Sequence, residues 1–92
     1  MKNYVAELID ILSEQLPSLP PELIDLYALL AFVKGTDTTL EDVHDAWSVW
    51  KNRGNPNHRS LVWFDELSPE VQELDRDYMN AIHRAVVTFV QK

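Results

Sequence analysis

The stretch that decides the fold is Val43–Glu70, VHDAWSVWKNRGNPNHRSLVWFDELSPE. It holds all three tryptophans, two of the three histidines and the one long segment without helical periodicity. Leu40, Val43, Trp47 and Trp50 recur at the three- and four-residue spacing of one helical face, with Ala46 beside them. Lys51 and Arg53 follow, where positive charge suits the negative end of a helix dipole, and Gly54 closes the run. The segment 54–60, GNPNHRS, is a loop by composition. Leu61-Val62-Trp63-Phe64 is an apolar run too short for a helix of its own. It reads either as an extended segment laid across the core or as a helical turn opening near Asp65. Ser68-Pro69 is then a helix start, serine at the cap and proline in the first turn.

Working outward, a last helix is predicted from residue 69 to about 90, with Val71, Leu74, Tyr78, Ile82, Ala85, Val86 and Phe89 on one face. On the other side of the stretch, Thr38 with Glu41 and Thr39 with Asp42 are two equally good capping-box registers. The first helix is predicted over residues 3–16 and must end before Pro17. The second spans 21–34 between Pro21 and Gly35. Leu26, Tyr27, Leu29, Leu30, Phe32 and Val33 surround it, which marks a buried centre or a face covered by a second copy of the chain. The chain therefore reads as all-α: one domain over 1–92, a small four-helix unit with a short structured loop between the third and fourth helices. Trp47, Trp50, Leu29, Phe32, Leu74, Tyr78 and Ile82 are expected to meet in its core.

Composition narrows the function. A net charge of −7 opposes duplex nucleic acid and anionic membranes, and no apolar run is long enough to span a bilayer. There is no cysteine and no secretory leader pattern, so the expected location is cytoplasmic. No histidine pair has the spacing of a helical zinc site among His44, His58 and His83, and thiolates are absent, so no metal is expected. No nucleophile elbow is present, and the acidic pairs Glu41-Asp42 and Asp65-Glu66 are adjacent residues that do not face one another on a helix. No enzyme and no cofactor are expected.

What remains is a cluster. Lys51, Arg53, Asn55, Asn57, His58 and Arg59 place positive charge and amides within nine positions of an otherwise acidic chain, and Trp50 and Trp63 flank them. Arginine grips phosphate or carboxylate, and an indole stacks on a base. The bland alternative is that Lys51 and Arg53 cap their helix and pair with Asp65 or Glu66. His44 would then bond locally on the flank of its helix. If Leu61 and Phe64 turn inward, Trp63 is left at the surface, the composition of an interface hot spot. The candidate ligand-binding residues are thus His44, Trp47, Lys51, Arg53, Asn55, His58, Arg59 and Trp63.

Val43-His44-Asp45-Ala46-Trp47, His58-Arg59-Ser60-Leu61-Val62 and Phe64-Asp65-Glu66-Leu67, with Asp75-Arg76 and Ala81-Ile82-His83-Arg84 after them, resemble the ryanodine receptor repeat, the RyR domain, over roughly residues 43–86. The order is also similar to that of small proteins of actinobacteria and their phages. Two features depart from the repeat: its Gly-Trp-x-Tyr-Gly element is replaced by Gly54-Asn55-Pro56-Asn57, and Trp63 stands where the pattern has proline. The resemblance implies a non-enzymatic helical module, of a kind found beside nucleotide-sensing and conflict systems. Residues 1–36 would be an N-terminal helical hairpin and 37–92 the RyR-like part. The expectation is a small binding module, possible in phage–host conflict, gripping a nucleotide-like or anionic ligand or a partner protein through 44–63, as a homo-oligomer. The alternatives are a protein-only interaction factor that inhibits a host protein through the acidic face of the last helix, and a structural homo-oligomer subunit.

Overall fold

Asn3 opens the first helix, its side-chain oxygen accepting from the Ala6 amide at 2.8 Å. In the computed structural model, which describes residues 2–91, this helix, α1, runs Tyr4–Gln15 and buries Leu8, Ile11 and Leu12. It stops one residue short of the predicted end. Helix α2 (Pro21–Lys34) starts on proline and ends at Gly35, whose φ of 57° strains any side chain placed there. A single 3₁₀ turn, Gly35–Asp37, leads to buried Thr38, whose hydroxyl donates to the Gly35 carbonyl at 2.8 Å. His83 Nε2 donates to the Thr38 carbonyl at 2.8 Å, so this corner is tied to the C-terminal helix.

Helix α3 (Leu40–Gly54) is capped in the second of the two registers. The Asp42 amide donates to the Thr39 hydroxyl at 3.1 Å, and the Thr39 amide donates to the Asp42 carboxylate at 2.9 Å. After the loop, Phe64–Glu66 forms one 3₁₀ turn, with Leu61 and Phe64 half-buried and Trp63 outside at 75% exposure. The Ser68 hydroxyl accepts from the Val71 amide and starts α4 (Pro69–Glu73). Helix α5 (Arg76–Val90) completes the chain, and no strand occurs among the described residues. The architecture is all-α, as the periodicity indicates.

The predicted single helix over 69–90 is broken at Leu74-Asp75. There the amides of both residues reach back three residues rather than four, to the Val71 and Gln72 carbonyls. The cause is a conflict of attachments. The Gln72 side chain donates to the carbonyls of Phe64 (3.0 Å) and Leu67 (3.2 Å), fixing α4 to the preceding turn. Ala81, Ile82 and Ala85 fix α5 in the core. The tight turn reconciles the two. It also leaves Leu74 at 69% exposure, not in the core where its spacing puts it.

The core is one cluster built from α1, α2, α3 and α5, with Leu12, Tyr27, Val43 and Ile82 among its fully buried members. Trp47, Trp50 and Tyr78 pack against it from the edge. Leu29 and Phe32, expected inside, are 58% and 39% exposed, and Val33 is 70% exposed. Helix α2 buries Leu23, Ile24, Tyr27, Ala28 and Ala31 against α1, α3 and α5, and among the described residues no element lies over Leu29 and Val33. Among the described residues no helix is long and apolar enough to cross a membrane.

Candidate functional site

Helix α3 presents two faces to different surroundings, and this divides the candidate residues. His44 and Trp47 look into a cleft of about 920 Å³ between α2, α3, the loop 58–62 and the α4–α5 junction. His58 and Arg59 enter it from the loop. Asp45, Ser48, Val49 and Asn52, further round α3, line an adjoining, more open hollow of about 660 Å³ with Trp63, and Val62 and Glu66 border both. Of the eight candidates the fold therefore gathers His44, Trp47, His58 and Arg59. It sends Trp63 to the adjoining hollow. Lys51 lies beside the cleft, its Nζ 5.4 Å from the centre of the Trp50 ring. Arg53 is exposed in the last turn of α3, and Asn55 caps that helix, its amide donating to the Lys51 carbonyl at 2.8 Å.

The cleft has aromatic walls and a polar floor. Trp47 packs edge-on against His58, ring centres 5.3 Å apart, and stacks with His44 at 6.0 Å. Trp50, Tyr27 and Tyr78 complete the walls, the two tyrosines 6.1 Å apart. At the floor lie Tyr27 and His44, both buried, with Asp75 half-buried beside them. Exposed Arg59 and Glu66 form the rim.

His44 has the local contact that its place on the flank of α3 suggests, the Ser48 hydroxyl 3.5 Å from Nε2, but its shorter bond is not local. Its Nε2 donates to the Val62 carbonyl at 2.7 Å, across eighteen residues, and so holds the loop against α3. A carbonyl only accepts, so Nε2 carries a proton, and in the neutral ring Nδ1 is then the acceptor nitrogen. His58 Nδ1 accepts from the Ser60 backbone amide at 3.0 Å, which fixes that ring too. Burial raises the Asp75 carboxyl above its ordinary value, and the neighbouring His44 offsets part of this. Burial, with Asp75 and Tyr78 adding to it, raises the Tyr27 phenol far above its usual range, so its hydroxyl stays neutral. Asp75 starts α5 without a side-chain capping bond, and among the described residues no buried side-chain nitrogen or oxygen lacks a partner. Asp75 and Tyr27 both line the cleft, and no side-chain hydrogen bond among the described residues occupies the carboxylate or the phenol.

The basic residues are not absorbed by acids, as the bland alternative requires. Lys2 pairs with Asp10, Lys34 with Asp42 at 3.4 Å and Arg76 with Glu73 at 2.7 Å. No ion pair among the described residues involves Lys51, Arg53 or Arg59. Glu66 instead accepts from the Trp63 amide at 3.2 Å. Among the described residues no three histidine, aspartate or glutamate side chains gather as a metal-holding cluster.

Sequence reasoning left Tyr27, Tyr78 and Asp75 out of the site. Asp75 carries a readable signal: it is four residues after Val71 and three before Tyr78, an acid inside an apolar stripe.

No curated protein and no solved structure matches the chain. A family model described as a domain of unknown function, DUF7701, matches residues 3–87. This overturns the likeness to the ryanodine receptor repeat. The match takes in α1 and α2, which that likeness left out, and the residues that carried the likeness have structural work here. His44 holds Val62, Trp47 packs the core edge and Ala81-Ile82 fill the core. The conflict-system setting implied by the repeat loses its ground with it. With nearly the whole chain inside the match, the chain belongs to the DUF7701 family of domains of unknown function.

Proposed function

We propose that this domain is a non-enzymatic binding module that takes a small planar, anionic ligand of nucleotide type in the cleft beside α3. One observation carries the reading: unpaired Arg59 stands at the rim of a cleft walled by Trp47, Trp50 and Tyr78. The volume suits a small molecule, and apolar walls with a few polar groups are the usual make-up of such sites. Aromatic rings hold a flat base by stacking, and a guanidinium holds a phosphate with paired N–H donors. Of the chain's −7 charge, salt screens the acids more than about 8 Å away, which leaves Glu66 and Asp75 of the cleft itself opposed to Arg59.

The non-enzymatic part rests on the hydrogen bonding. Ser60 meets His58 through its backbone amide, not its hydroxyl, and Ser48 meets a His44 nitrogen whose proton already goes to Val62. Neither pair is a nucleophile with its base. Calorimetric titration with mononucleotides tests the reading. The expected result is binding that Arg59→Ala weakens by about 10-fold, the loss of one charge-assisted contact. No heat from any mononucleotide overturns it.

A second reading is self-association through α2. Leu29, Phe32 and Val33 form an exposed stripe, extended by Tyr4, whose ring lies edge-on to Phe32 at 5.4 Å. Contiguous exposed apolar surface of this kind favours a protein contact.

A further inference from the structure

We propose that Asp75 is the selecting group of the cleft, its carboxylate taking two adjacent N–H donors from the ligand, the pattern on the N1–C2 edge of a guanine base. This deepens the binding reading above and rests on it.

The floor of the cleft is rich in acceptors. Asp75 offers two carboxylate oxygens with no capping bond to occupy them. The neutral His44 ring offers Nδ1, because its other nitrogen donates to Val62. The Tyr27 hydroxyl, kept neutral, accepts as well as donates. The other acids that touch a neighbour are occupied: Asp10 by Lys2, Asp42 by Thr39 and Lys34, Glu66 by the Trp63 amide, Glu73 by Arg76. Asp75 alone of these is held half-buried among aromatic rings with its bonding capacity unused. A partly desolvated carboxylate of this kind gains from a ligand that brings donors to it.

A guanine presents N1–H and N2–H side by side, which fits a carboxylate oxygen for oxygen. An adenine presents the N1 lone pair there, which the carboxylate repels. With the base edge at the floor and its faces against the indoles, the phosphate falls toward the rim, where Arg59 stands. A guanidinium group carries the same pair of donors without a phosphate, and the two sources are separable.

The test is calorimetric titration of the full chain and its Asp75→Asn variant with GMP, AMP and agmatine. Asparagine keeps the shape, so the variant folds. The expected result is GMP tighter than AMP by about 10- to 100-fold, and an Asp75→Asn loss of the same size confined to GMP, as a bidentate pair gives. Equal binding of GMP and AMP, unchanged in the variant, overturns the role of Asp75 and leaves the nucleotide reading standing. Binding of agmatine alone, lost in the variant, keeps the role of Asp75 and overturns the nucleotide reading. No binding of any of the three overturns both.

Discussion

Asp75 costs the fold something. A carboxylate half-buried without a capping bond is disfavoured in its charged form, which is why its pKa lies above the ordinary 3.8. The sign follows. A raised carboxyl pKa favours the folded state where the group is protonated, and that advantage is lost as pH rises through the folded value. Asp75→Asn therefore raises the melting temperature at pH 7. The gain shrinks as pH falls and is gone below about 3.8, where both side chains are neutral. Thermal melts of the two proteins from pH 3 to 8 check this, and a variant less stable at pH 7 would show the carboxylate to be structural. His44 is the opposite case: its bond to Val62 stabilises the loop that carries His58 and Arg59. The residue types of the site were legible, since Trp47, His58 and Arg59 stood out by composition. Which of them meet was not, because neighbours on α3 point to different hollows.

At the scale of elements, the local signals worked where the cause was local. The Pro21 start, the Gly35 stop, the Ser68 cap and the Thr39 capping box are all chemistry within a few residues. The break between α4 and α5 is not. It comes from Gln72 bonding to the 64–67 turn while α5 packs in the core, and no glycine or proline announces it. Helix α2 failed differently. Its apolar residues are correct, but the helices of the described residues leave one side of it uncovered. The uncovered stripe gives a prediction. Light scattering at rising concentration is expected to exceed the 10.7 kDa of one chain, and Leu29→Glu with Val33→Glu to restore the single-chain mass. A single-chain mass for the unaltered protein at high concentration would end the self-association reading.

For the whole molecule, the cleft exists because three distant parts of the sequence converge: Tyr27 on α2, the indoles of α3, and Asp75 where the C-terminal helices part. No window of the sequence contains it, although each part shows an oddity. These are a tyrosine in a buried stripe, tryptophans at a core edge and an acid on an apolar face. The three tryptophans also supply the most direct test. Trp47 and Trp50 line the cleft, while Trp63 lines the adjoining hollow and not the cleft. A nitrogen–proton correlation spectrum shows one indole signal for each. Titration with GMP is predicted to move the Trp47 and Trp50 signals and leave Trp63 in place. Movement of Trp63 alone, or of none of the three, would contradict the cleft as the binding site.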